Sequence, residues 1–187
     1  MHVGCMDYPA AEVLPDNVSH LNDILWRAIK RAQMPAVKEP INLMRDDNKR
    51  PDGTTCLPWA RGKPVAWDVR VPDTYDESHI GSTATKPGAA AQMTAQNKID
   101  KYFKLASTHI FYPFGHLLPF YPHIFYPFAI ETAGTWHEMA IELTQEIGRR
   151  ITTITEDTRE TTFLFQRFSV ALQRGNAVSF HNTMVTE

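Results

Sequence analysis

The chain has 187 residues, a length that predicts one domain with a buried core, and its net charge of −2 excludes a uniformly basic surface. Apolar residues make up 43% and charged residues 21% of the chain, which excludes an acidic disordered protein, and no apolar run approaches the roughly 20 residues of a membrane-spanning helix. Two cysteines, Cys5 and Cys56, are too few for a disulfide scaffold or a four-cysteine zinc site.

The first elements are a lead-in, a helix and a turn. Residues 1–16 show no apolar periodicity and predict an irregular lead-in. From Ser19, apolar residues recur at three- and four-residue steps, which predicts an amphipathic helix that ends before Pro35. An extended stretch over Ala36–Met44 then leads to the polar run Arg45–Gly53, whose Asp, Asn, Pro and Gly residues predict a turn.

Two strands are predicted after this turn, at Thr54–Trp59 and Val65–Val71. The second strand alternates apolar and other residues, and side chains alternate between the two faces of a strand. Asp68 and Arg70 are therefore predicted to share the face away from the apolar row.

An alanine-rich helix is predicted after a loop over Pro72–Lys86. It begins near Pro87 and continues to about Ala106, since alanine has the highest helix propensity and proline is favoured at the first helical position. Lys98 and Lys101 lie about one turn apart along this helix.

Two further helices are predicted in the last third of the chain, at Trp136–Ile147 and Thr158–Arg174. Gly148 and Gly175 are their expected ends, because glycine commonly follows the last helical residue.

Together these elements predict an α/β (α+β) domain over residues 17–155, built on a small mixed sheet flanked by helices, with a helical tail over 156–187 packed on it. Residues 109–128 contain a duplicated aromatic segment, in which His109–Phe114 recurs as His123–Phe128. A solenoid needs at least three longer repeats, so we interpret the repeat as a local duplication of one strand and its linker. A membrane-interface hairpin is the alternative, although the segment has no Lys or Arg to meet lipid headgroups.

The candidate chemistry rests on two carboxylates. Asp52 lies in the predicted turn and Asp68 on the second strand, and a hairpin between them would bring both to one sheet edge. Close carboxylates repel unless a proton or a cation neutralises them, and Mg²⁺ binds one or two carboxylates together with water and phosphate oxygens. Such an ion, assisted by a lysine, supports phosphodiester hydrolysis. The same residues are also typical of an ordinary turn and a solvated strand aspartate, and both interpretations stay open.

Several short segments, taken together and in order, are typical of one protein family. They are Lys38–Pro40, Lys49–Gly53, Pro58–Trp59, Trp67–Val71, Lys98–Tyr102, Arg159–Arg167 and Gln173–Ala177. These segments resemble the restriction-enzyme-like endonuclease domain (PD-(D/E)XK type) at the C-terminal end of reverse-transcriptase polyproteins of non-LTR retrotransposons. The resemblance extends from about Ser19 to the end of the chain.

This resemblance implies a restriction-endonuclease-like core in which Asp52 and Asp68 hold Mg²⁺ or Mn²⁺. It also implies that Lys101 or Lys98 supplies positive charge from the helix, with Tyr102 beside it.

The resemblance implies one further acid, Glu39, in the catalytic group. Contacts to the DNA backbone are expected from Arg45, Lys49, Arg50 and Arg70, since arginine and lysine bind phosphate.

We therefore expect a metal-dependent DNA endonuclease domain that nicks target DNA to prime reverse transcription. The expected partners are double-stranded DNA and, as a second candidate, the element RNA, with no membrane partner. The chain is expected to be a truncated or degenerate copy without the polymerase domain of its parent polyprotein. Its expected location is the nucleus for a eukaryotic element and otherwise the cell interior, without secretion. Three alternatives stay open: a copy without catalysis, a non-catalytic module that binds nucleic acid or protein, and an unstable remnant.

Overall fold

A computed structural model of the chain describes residues 15–40, 50–106 and 123–185. Within these ranges the helices and strands, in chain order, are α1 (Pro15–Arg31), β1 (Ala36–Lys38), β2 (Gly53–Thr55), β3 (Val65–Arg70), α2 (Glu77–Thr83), α3 (Ala89–Ala106), β4 (Ile124–Ala129), α4 (Glu138–Thr155) and α5 (Glu160–Val185). Most of the predicted lead-in, most of the polar run and the first copy of the aromatic repeat lie outside the described residues.

The strands form one mixed sheet in the order β1-β2-β3-β4. The first three strands pair antiparallel, whereas β4 pairs parallel to β3 after a crossover that contains α2 and α3. Trp67 of β3 lies opposite Gly53 on one side and Tyr126 on the other. The predicted architecture, a small mixed sheet flanked by helices, is therefore confirmed.

The two faces of the sheet carry different layers. Val65, Trp67 and Val69 are fully buried and belong to one hydrophobic core with residues of α1, α4 and α5. On the opposite face, alanines of α3 pack against Ala129 of β4 in a second, smaller cluster. Because these side chains are small, α3 lies close to the sheet and covers the face on which the polar residues of β3 project.

The predicted ends of the last two helices are wrong. α4 continues through Gly148 to Thr155, and α5 continues through Gly175 to Val185. A Cβ atom at Gly148 would lie 2.7 Å from the Cα atom of Thr161, and one at Gly175 would overlap the side chain of Asn17. These glycines therefore allow neighbouring helices to pack closely, and they do not end the helices.

Other boundaries also differ from the sequence prediction. β2 ends at Thr55, four residues before the predicted end, and the predicted loop contains the helix α2. Asp76 caps α2 by accepting a hydrogen bond from the backbone N–H of Ser78. Among the described residues, no helix combines the length and the apolar character that a bilayer crossing requires.

Candidate active site

Asp68 is the central residue of the candidate site. It lies on β3 between β2 and β4, beneath α3, and only 3% of its surface is exposed. Lys98 of α3 donates a hydrogen bond from Nζ to Asp68 Oδ2 over 2.8 Å. The strand face that we predicted to be polar is therefore covered by a helix that supplies a positive charge.

Asp52 reaches the same strand from the residue just before β2. Its Oδ2 atom accepts a hydrogen bond of 2.7 Å from the backbone N–H of Val69. β2 and β3 pair through their backbones at two residue pairs, and the Asp52 side chain extends this pairing by one hydrogen bond. Gly53 makes this approach possible, because a Cβ atom there would lie 2.1 Å from the indole ring of Trp67.

The pKa values of Asp52 and Lys98 are both shifted in this site. Burial, followed by the charge of Asp68, raises the pKa of Asp52 from 3.8 to about 6. Burial also lowers the pKa of Lys98, against the opposing effect of Asp68. Perturbed groups that cluster in this way are typical of functional sites, and an added cation would favour the ionised form of Asp52.

The oxygen atoms of this cluster suit a hard divalent cation. Arg70 Nη2 lies 3.1 Å from Asp68 Oδ1, yet within the described part of the chain this buried oxygen accepts no hydrogen bond. The described residues contain no group of three or more His, Cys, Asp or Glu side chains that could hold a metal. Asp52 and Asp68 are the residues that would hold a cation here, and water and substrate oxygens would complete its ligands, as is common for Mg²⁺.

The structure separates the two lysine candidates on α3. Lys98 contacts Asp68, whereas the side chain of Lys101 is exposed. Tyr102 follows one turn after Lys98 and stacks on Phe125 of β4, with 3.6 Å between ring centroids. Of the two predicted lysines, only Lys98 is therefore brought to the carboxylates.

The remaining predicted residues lie at the margin of the site. The backbone N–H of Glu39 donates to the carbonyl of Asp52 over 3.0 Å, but the Glu39 side chain pairs with Arg50. Arg70, which is predicted to contact DNA, forms an ion pair with Asp68, and 38% of its side chain is exposed. The other two predicted DNA contacts, Arg45 and Lys49, lie outside the described residues.

Two positioning residues were missed in the sequence. Asn22 of α1 accepts a hydrogen bond from Trp67 Nε1 and donates to the carbonyl of Asp52, so it links the helix to the site. The sequence signal for this role was the position of Asn22, a polar residue beside the apolar stripe of α1. Glu131, 1% exposed, accepts hydrogen bonds from the backbone N–H groups of Ala90 and Ala91 and holds the start of α3. Nothing local in the sequence indicates this contact.

Comparison with known proteins does not assign the chain to a family. No protein-family model matches the chain, and no curated protein matches it. The endonuclease resemblance therefore stays a prediction that rests on the quoted segments.

Proposed function

We propose that this chain is a metal-dependent DNA endonuclease domain of the restriction-enzyme-like kind, which nicks target DNA to prime reverse transcription of a retrotransposon. The observation that carries the proposal is the convergence of Asp52, Asp68 and Lys98 on β3, with the pKa of Asp52 raised by burial and by Asp68. Two acids and a lysine that meet at one strand can supply the metal ligands and the positive charge for metal-assisted phosphodiester hydrolysis.

The topology supports the same proposal. Three antiparallel strands are followed by a helical crossover to a parallel fourth strand, with Asp68 on the central strand β3 and Asp52 directly before the other central strand, β2. In our proposal, this mixed sheet is the restriction-endonuclease-like core that the sequence resemblance implies. The finer fold name is part of the proposal.

Each side chain has a distinct role in the proposed mechanism. Asp52 and Asp68 would hold Mg²⁺ or Mn²⁺, and the bound ion would supply an activated water and stabilise the leaving oxygen. Lys98 balances negative charge beside Asp68, and burial lowers the pKa of its ammonium group, which favours loss of a proton. The partly exposed guanidinium of Arg70 is available to a neighbouring phosphate.

A plasmid-nicking assay tests the proposal. Supercoiled DNA with Mg²⁺ is incubated with the wild type, with Asp68→Asn and with the control Asp100→Asn, which changes an exposed residue of α3. We expect Asp68→Asn to lower the nicking rate at least about a hundredfold, the control to leave it unchanged, and EDTA to abolish it. Equal nicking by the wild type and Asp68→Asn would remove the catalytic assignment.

One observation favours a second candidate, a non-catalytic module that binds nucleic acid. Lys98 and Arg70 already balance the charge of Asp68, as they would in a purely structural ion-pair cluster. This candidate predicts salt-dependent DNA binding that does not respond to Mg²⁺, with no nicking by the wild type.

A further inference from the structure

A groove opens between α1 and α5 on the side of the sheet opposite to α3. It has a volume of about 840 Å³. The lining residues that matter here are Arg27, Arg31, Phe163, Arg167, Val170 and Arg174. The lining positions on each helix recur at three- and four-residue steps, so each helix presents one continuous face to the groove.

The groove has an excess of positive charge. Its two acidic lining residues are already paired, because Arg31 binds both carboxylate oxygens of Glu160 and Arg159 binds Asp157. Within the described part of the chain, Arg167 and Arg174 contact no carboxylate. These two arginines are about 10 Å apart along α5 and are free to bind an anionic chain.

The groove also offers exposed apolar surface between these charges. Phe163 is 40% exposed and Val170 is 50% exposed. An aromatic ring within a positively charged groove is the combination that binds single-stranded nucleic acids, because each base can stack while its phosphate meets a cation. A duplex keeps its base faces stacked inside and cannot use the ring of Phe163.

We propose that the α1–α5 groove binds a single-stranded nucleic acid, with arginines on the phosphates and Phe163 against a base. The groove lies on the opposite side of the sheet from Asp68, so the proposal goes beyond the nuclease function and does not depend on it.

The test measures binding by the full chain in EDTA, which prevents any metal-dependent cleavage. Fluorescence anisotropy follows labelled single-stranded DNA, single-stranded RNA and duplex DNA of equal length at several salt concentrations. The groove variant Arg167→Gln/Arg174→Gln is compared with the control Arg61→Gln/Arg149→Gln, which removes the same charge from exposed positions elsewhere. Thermal melts confirm that both variants stay folded.

We expect the groove variant to bind single strands about tenfold more weakly, and the slope of log K against log salt to fall by about 1.4 for two lost contacts. The control should bind within about twofold of the wild type. Binding of DNA and RNA strands alike supports the proposal, and so does binding of only one of them. Phe163→Leu, which removes the ring but keeps apolar volume, should weaken single-strand binding severalfold and leave duplex binding unchanged.

Three results would overturn the proposal. The groove variant could bind single strands as the wild type does. Duplex binding could fall by as much as single-strand binding in both the groove variant and Phe163→Leu. A polyglutamate chain of equal charge could compete as well as the oligonucleotide, which would identify the groove as a site for acidic protein segments.

Discussion

Asp52 is held in a position that disfavours its own charge. The pKa of its carboxyl rises from 3.8 to about 6 because the group is buried beside Asp68. The folded state therefore binds this proton more tightly than the unfolded state does. The raised pKa of Asp52 therefore adds to the free energy of unfolding. This contribution is fully present below about pH 4 and is lost as the pH rises through about 6.

Replacement of Asp52 by asparagine should therefore stabilise the protein at neutral and higher pH. Asp52→Asn keeps an oxygen for the N–H of Val69 but removes the charge. At about pH 8 we expect the free energy of unfolding to rise by about 1–3 kcal/mol, and at about pH 4 we expect no difference. Urea denaturation at the two pH values measures this. Asp100→Asn is the control, and a loss of stability at both pH values would contradict the prediction.

Lys98 and Lys101 provide a matched pair on one helix. Lys98→Met leaves the buried carboxylate of Asp68 with Arg70 as its remaining cation, so we expect a loss of about 2–4 kcal/mol in the free energy of unfolding at neutral pH. Lys101→Met changes an exposed side chain and should stay within about 0.5 kcal/mol of the wild type. Equal losses in the two variants, measured by urea denaturation, would show that Lys98 does not compensate the Asp68 charge.

The sequence analysis named both acids and both lysines and placed Lys101 ahead of Lys98, whereas in the structure Lys98 is the one that contacts Asp68. The two lysines lie about one turn apart, and the rotation of α3 about its axis decides which one faces the sheet. Ala91, Ala95 and Lys98 share one helical face at steps of four and three residues, and both alanines are fully buried. The choice therefore depends on the packing of α3 against β4, which contributes residues from a distant part of the chain.

Among the elements, α4 and α5 show how packing overrides a local signal. Glycine after an apolar stripe predicts a helix end, because glycine tolerates the left-handed conformation. Gly148 instead lies inside α4, where the absence of a side chain lets Thr161 of α5 approach. A single sequence cannot distinguish the two uses of glycine, since the partner helix is visible only in the folded chain.

Gly148→Ala tests this explanation against helix propensity. Alanine favours the helical state by about 1 kcal/mol, but its Cβ atom would lie 2.7 Å from the Thr161 Cα atom and force the two helices apart. We expect a net loss of about 1–3 kcal/mol in the free energy of unfolding. Gly81→Ala in α2 is the control, because nothing lies within 4 Å of its added Cβ atom and the substitution should be neutral or stabilising. A stabilised Gly148→Ala protein would show that the helices are not in tight contact.

At the scale of the whole molecule, the layers determine the character of the site. The alternation in β3 predicts which residues share a face, and Asp68 and Lys98 do meet on one side of the sheet. It does not predict that the polar face is buried, because this depends on the crossover that places α3 over β3 and β4. The mixed sheet with flanking helices was therefore predictable, whereas the burial of Asp68 was not.

Binding of a cation would connect this site to the stability of the whole domain. A ligand that binds only the folded state raises the free energy of unfolding, by about 2.7 kcal/mol when its concentration is a hundred times its dissociation constant. A cation held by Asp52 would require the ionised form of its carboxyl group. Because the pKa of Asp52 is about 6, protons would compete with the cation for this group below about pH 6.

We therefore expect millimolar Mg²⁺ to raise the melting temperature by several degrees at about pH 8 and to have little effect at about pH 5. Asp68→Asn should abolish the rise at about pH 8, whereas Asp100→Asn should retain it. Sodium chloride of matched ionic strength separates specific binding from the screening of surface charges. If sodium chloride reproduced the rise, or if Asp68→Asn kept it, the cation would act elsewhere on the surface, and Asp52 and Asp68 would be a structural cluster rather than a metal site.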